Sequence, residues 1–145
     1  MKNKTKIGIS IIIAIGLAFT GFIYYSTHIS IWGVNISKYD LKEVTIITKD
    51  HGYIITNPKL VLEIAQEIAK TKRLYKLEAS NFPPKEALST KYLKLSISTT
   101  FNMGGSIWDD SNSGLMLESN GYYWNVSSRL IELMDKSLKG AKKYF

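Results

Sequence analysis

Residues 7–25 read IGISIIIAIGLAFTGFIYY, nineteen residues without a charge, Asn, Gln, His or Pro. A stretch of that kind has to leave water, and this constrains the chain more than any other feature. As a helix rising about 1.5 Å per residue it spans roughly 28 Å, close to the ~30 Å hydrocarbon core of a bilayer. Lys2, Lys4 and Lys6 precede it with no acid among them. The positive-inside bias therefore holds the amino terminus in the cytoplasm and sends the remainder outward. Tyr24, Tyr25 and Trp32 follow where amphipathic rings favour the membrane–water boundary. One competing reading is a cleaved secretory signal, whose apolar region runs about 7–15 residues and ends in a small-x-small site. The run here is longer, and its nearest match, Gly16-Leu17-Ala18, lies inside it. Another is a buried helix of a soluble domain. The expectation is an uncleaved single-pass anchor in the cell inner (cytoplasmic) membrane. Residues 1–6 form a cytoplasmic basic tail, 7–25 the transmembrane segment and 26–37 a juxtamembrane linker or the approach to a first strand. Residues 38–145 form a domain facing the periplasm or cell exterior.

That domain of 108 residues is large enough for one core without staples. Val44–Thr48 and Tyr53–Thr56 are rich in β-branched residues and flank Lys49-Asp50-His51-Gly52, which predicts a hairpin. Asn57 suits an N-cap and Pro58 the first helical position. Val61, Ile64, Ala65 and Ile68 then recur at helical spacing, and the pattern fades after Lys72. Residues 77–90, with Pro83-Pro84, read as a loop with one turn of helix near Lys85–Leu88. From Tyr92 to Phe101 the pattern alternates, with Leu93, Leu95, Ile97 and Phe101 on one face. Gly104-Gly105 predicts a turn into a short strand at Ser106–Trp108, and Asp109–Gly114 a second turn. Leu115–Ser119 and Tyr122–Val126 flank Asn120-Gly121, a strong hairpin signal. Ser127 or Ser128 can cap a last helix carrying Leu130, Ile131, Leu133, Met134 and Leu138, with Gly140 placed to end it. The order predicts an α+β domain whose antiparallel sheet is covered on one face by two helices.

The chain has no cysteine, which removes disulfides, thiol chemistry, Cys-ligated metals and a lipoprotein anchor. Of the two histidines only His51 lies in the domain, in a tight turn where solvation is its expected state. No Gly-x-Ser-x-Gly or Ser-x-x-Lys occurs, so serine chemistry has no recognisable base. Asp109–Gly114 has calcium-loop composition, but its twelfth position is Asn120 where an EF-hand needs Glu. A polar hairpin turn is the simpler reading. Asp109, Asp110 and Glu118 could serve as paired carboxylates, yet acids of a turn and a solvent face are the default. No cofactor, metal, small-molecule substrate or enzymatic activity is expected.

Charge and aromatic residues point to a protein partner. Residues 59–94 carry eight cations and four acids, whereas 102–128 carry three acids and no cation. The first segment holds the run Lys70, Lys72, Arg73 and Lys76, which reads as a solvated basic helix end, a site for an acidic partner protein, or a contact for anionic lipid or a cell-wall polyanion. The second holds Trp108, Asp109, Asp110, Glu118 and Tyr123. Alternation sends Tyr122 and Trp124 to one face of their strand and Tyr123 to the other; one set packs into the core and the other can anchor a partner. Nucleic acid is not expected, because the patch lies outside the cytoplasm and its aromatics are too sparse to stack bases.

In layout the chain resembles the single-span periplasmic immunity proteins that protect bacteriocin producers, such as those against pesticin and colicin M. The likeness rests on Lys2, Lys4, Lys6, the apolar 7–25 segment and the sparse domain behind it. It implies binding and neutralisation of a toxin or hydrolase that acts in the periplasm, and it transfers no functional residue. Lys, Ile, Asn and Tyr supply 53 of 145 residues, all with A/T-rich codons, which suits a plasmid-borne gene or a low-GC bacterium. The alternative is an accessory or sensor domain of a membrane complex in a low-GC Gram-positive organism.

Overall fold

The apolar run forms one uninterrupted helix, α1 (Lys2–Thr27), in the computed structural model, which describes residues 2–78, 88–96, 102–110 and 114–145. Its apolar part, Ile7–Thr27, spans 21 residues at a mean hydropathy of 2.2, and none of it is buried against the rest of the chain. A helix in the core of a soluble domain hides at least one stripe. Here Ile12, Leu17, Phe22 and Tyr25 are all exposed. By length and composition α1 can cross a membrane once or serve as a signal sequence. Thr20 and Thr27 satisfy their hydroxyls within it, donating to carbonyls three and four residues earlier.

Residues 26–37, expected as a linker or the approach to a first strand, contain an antiparallel hairpin. It pairs β1 (His28–Ile31) with β2 (Val34–Ser37). The turn between them is Trp32-Gly33, at φ +49° and +83°. Positive φ at both central positions is the type I′ geometry, whose usual signature is Asn-Gly or Asp-Gly. A tryptophan there is strained. It is held because its side chain is buried and its carbonyl accepts from Asn120 Nδ2 at 3.1 Å. Ile31, Trp32 and Ile36 join the main core, so the folded unit starts ahead of Lys38.

After a 3-10 turn at Lys38–Asp40, eight antiparallel strands form one sheet. They are β3 (Glu43–Ile47), β4 (Gly52–Ile55), β5 (Lys72–Lys76), β6 (Leu88–Ser96), β7 (Asn102–Asp110), β8 (Gly114–Ser119), β9 (Tyr122–Asn125) and β10 (Lys142–Lys143). Their spatial order is β10-β4-β3-β6-β7-β8-β9-β5. Two helices join them, α2 (Pro58–Ala69) and α3 (Ser128–Leu138). Both start as their sequences dictate. Asn57 Oδ1 accepts from the amides of Lys59 and Leu60 at 3.0 and 3.2 Å, with Pro58 in the first turn. The Ser127 hydroxyl oxygen accepts from the Leu130 amide at 3.1 Å. Val61, Ile64, Ala65 and Ile68 of α2 are buried, as are Leu130, Leu133 and Met134 of α3. The helices pack on each other, α2 over β3 and β1, α3 over β4. They meet Val44, Ile46, Ile55, Leu93, Ile107 and Leu117 from the sheet, each large aliphatic contributing about 1.5–3 kcal/mol by leaving water.

Several expected turns are strand. Gly104 and Gly105 lie inside β7, paired with Lys94 and Leu93 of β6. They are glycines because carbonyls press on both: a Cβ on Gly104 would stand 1.9 Å from the Leu93 oxygen, and one on Gly105 1.7 Å from the Glu118 oxygen. Asp109 and Asp110 also belong to β7, and Gly114 opens β8 opposite Asp110. The basic run, read as a helix end, is the separate strand β5 after α2 stops at Ala69. His51, expected to be solvated, is half-buried and its Nε2 accepts from Lys143 Nζ at 2.9 Å. This contact comes from the carboxyl-terminal tail, where Tyr144 N also donates to the Gly52 carbonyl at 3.0 Å. The helical turn near Lys85, the residues Ile97 and Phe101, and Ser111–Ser113 lie outside the described residues.

Candidate functional site

All the candidate partner-binding residues except Lys70 gather at one end of the sheet, on the neighbouring strands β7, β8, β9 and β5. The basic and acidic segments, separate in sequence, are therefore adjacent in space. The β8–β9 turn organises this end. Asn120 and Gly121 take φ +52° and +75°, the two-residue I′ turn that Asn-Gly predicts. It fixes the register, setting Glu118 opposite Tyr123 and Leu117 opposite Trp124. The turn is tied down by the Leu77 amide donating to the Gly121 carbonyl at 2.9 Å. β5 then closes the sheet, with Lys72 opposite Asn125 and Arg73 opposite Trp124, and a register shift before Lys76 meets Tyr122.

Alternation splits β9 into two environments. On one face the Arg73 guanidinium carbon lies 4.8 Å over the Tyr122 ring, and Tyr122 meets Trp124 edge-on at 6.4 Å between centroids. A cation over an aromatic face is worth about 0.5–1 kcal/mol at an exposed site. Trp124 is half-buried, packs against the rim of the main core and donates from Nε1 to the Ser119 carbonyl at 2.9 Å. On the other face Tyr123 is 0% exposed, with the ring of Tyr75 at 5.0 Å. The Tyr75 hydroxyl donates to Met116 Sδ at 3.3 Å. Burial, then Glu118 and then Tyr75, push the Tyr123 hydroxyl up to about 12. Burial, followed by the negative charge of Asp110, also raises Tyr75. Both phenols hold their protons at neutral pH and act as neutral hydrogen-bonding groups.

Tyr123, expected as an anchor for a partner, is instead sealed inside this aromatic cluster. Asp110 is likewise buried, at 7% exposure, and Trp108 and Glu118 are half-buried. Lys70 caps the carboxyl end of α2 and is paired with Glu67 at 2.5 Å, apart from the strand that follows. Of the candidate residues at this end, Lys72, Arg73, Lys76 and Asp109 meet solvent, as do Leu74 and Tyr75 beside them. All five residues of β5 are exposed, and among the described strands only β9 pairs with it. The part of Tyr75 and Met116 was not legible in sequence. The one available signal was alternation within Lys72–Lys76, masked by reading the run as the tail of α2. Among the described residues no three His, Asp or Glu side chains lie close enough together to hold a metal ion. No known protein family, no curated protein and no solved structure matches this chain.

Proposed function

We propose that the chain is a membrane-anchored extracytoplasmic binding protein, of the bacteriocin-immunity kind, that neutralises a toxin or hydrolase by occluding it. One observation carries the reading. β5, an edge strand among the described residues, presents Lys72, Arg73 and Lys76 to solvent, with Arg73 over the Tyr122 ring. An edge strand offers its backbone N–H and C=O groups to an incoming extended segment, and three cations select an acidic one. α1, exposed on all sides, supplies the anchor, and Lys2, Lys4 and Lys6 favour export of the domain behind it.

Expression of the gene in a sensitive strain, followed by challenge with the toxin encoded beside it, tests the reading. Protection is expected, and its loss in the triple variant Lys72→Glu, Arg73→Glu, Lys76→Glu at unchanged protein level locates it on β5. Equal killing with and without the gene removes the proposal. A large stable assembly surviving mild detergent extraction would favour an accessory subunit of a membrane complex instead.

A further inference from the structure

α1 ends at Thr27 and β1 begins at His28, so no slack separates the apolar helix from the domain. The joint is held from several directions. Lys38 Nζ, from the 3-10 turn, donates to the Ser26 carbonyl at 2.6 Å and satisfies one of the acceptors a helix end leaves open. The His28 ring stacks on Tyr24 at 4.0 Å between centroids, with Nδ1 3.0 Å from the Tyr24 carbonyl oxygen. Two clefts flank Lys38. The larger, about 470 Å³, is lined by Thr27, Lys38, Tyr39, Leu41, Pro58 and Leu62. The smaller, about 330 Å³, reaches Tyr25, His28 and Gln66. Beside them Tyr24, Tyr25 and Tyr39 are 52%, 83% and 78% exposed. Rings with an apolar body and a polar tip are favoured at the headgroup level of a bilayer.

We propose that this collar is a phospholipid site. A headgroup phosphate meets the Lys38 ammonium, and the upper acyl methylenes lie along Leu41, Pro58 and Leu62. The inference rests on Ile7–Thr27 spanning the bilayer. Its 21 residues reach about 31 Å at ~1.5 Å each, one hydrocarbon thickness, which brings Thr27 and the cleft it lines to the lipid–water boundary. Lys38 suits the phosphate because an ammonium carries three donors and Ser26 takes one. The rigid joint keeps the collar at that level, so the domain rests on the lipid rather than swinging above it.

The absence of native cysteine makes the test direct. Ile15→Cys, Tyr39→Cys and Asp109→Cys, each in the full chain, carry an environment-sensitive fluorophore. The proteins are reconstituted into phosphatidylcholine–phosphatidylglycerol vesicles with spin labels placed near the headgroup or near the chain end. Asp109 is the distal control: the first hairpin leads from His28 at the collar to its far turn at Trp32, Asn120 is bonded to Trp32 there, and β8 leads on from Asn120 to the end of β7 that holds Asp109. At position 39 a blue-shifted emission and stronger quenching by the shallow label are expected. Position 15 should be quenched by the deep label and position 109 by neither. Adding Lys38→Gln should lessen quenching at 39 by spin-labelled phosphatidylglycerol and leave position 15 unchanged. Inorganic phosphate added to the micellar protein should leave the emission at 39 unchanged; a response there without shallow quenching in vesicles overturns the lipid assignment. Quenching at 15 but not at 39 overturns the collar and leaves the anchor standing. No quenching at 15 removes both.

Discussion

Gly105→Ala is the sharpest test of how the strands cross at the centre of the sheet. The added methyl carbon would stand 1.7 Å from the Glu118 carbonyl oxygen and 2.9 Å from its carbonyl carbon, where ordinary contact begins at 3.4 Å. β8 would have to retreat by well over an ångström. Strands sit about 4.8 Å apart, and a backbone bond stretched from about 2.9 to beyond 3.5 Å is lost. Two or three bonds of the β7–β8 ladder near Ile107 and Leu117 lie in reach of that shift, at about 1 kcal/mol each. Displaced packing around the same buried pair adds about 1–2 kcal/mol, so the expected loss is about 3–5 kcal/mol. Gly104→Ala should cost a similar amount, because its Cβ meets the Leu93 oxygen at 1.9 Å and its φ is +144°. A methyl group on Gly140 would have nothing within 4 Å, so Gly140→Ala serves as control and should stay within about 0.5 kcal/mol. Urea unfolding of the full chain in mild detergent, followed by tryptophan fluorescence and circular dichroism, reads all three. A Gly105→Ala midpoint indistinguishable from that of Gly140→Ala would refute the close crossing.

Other consequences are open to the same assay. Because Tyr123 is pushed to about 12 in the fold against 10 in the open chain, folded protein holds that proton more tightly. The stabilisation is complete below about pH 10 and drains away toward pH 12, by about 1–2 kcal/mol after solvent screening, so stability should fall across that window. Tyr123→Phe should flatten the fall, which urea midpoints on either side of the window would show. Ile64→Ala, at the fully buried centre of α2, should cost about 2–5 kcal/mol, read from the same unfolding curves. Asn57→Ala should cost about 1 kcal/mol by leaving the Lys59 and Leu60 amides without their acceptor, again read by urea. Arg73→Ala should lower stability by no more than about 1 kcal/mol while abolishing protection in the toxin challenge, separating recognition from folding.

Legibility in the sequence depends on how local each determinant is. α2, α3 and the β8–β9 hairpin were legible because Asn57-Pro58, Ser127 and Asn120-Gly121 act on their own neighbours, and the observed caps and φ values match those signals. The Trp32-Gly33 turn was not legible, since a bulky residue at positive φ is held only by burial and by Asn120 from the other end of the chain. Gly104-Gly105 carried the composition of a turn, but the need for glycine comes from two neighbouring strands. At the candidate site the cationic and aromatic residues were visible in the sequence, and their grouping in space was not. Only the sheet order places β5 against β9, which buries Tyr123, frees Lys72 and Arg73 and puts Arg73 over Tyr122.

The bond from Asn120 to the Trp32 carbonyl joins residues 88 positions apart, and it also sets when this molecule can finish folding. The first hairpin leaves the ribosome long before its partner turn exists, and at about 5–20 residues per second the wait is roughly 4–18 s. β5 must similarly wait for β9, and β4 for β10. Pairings so far apart in sequence slow folding, because loop closure comes before the contacts that reward it. Until those later segments arrive, an unburied tryptophan and an unpaired strand edge stay open to whatever else is nearby.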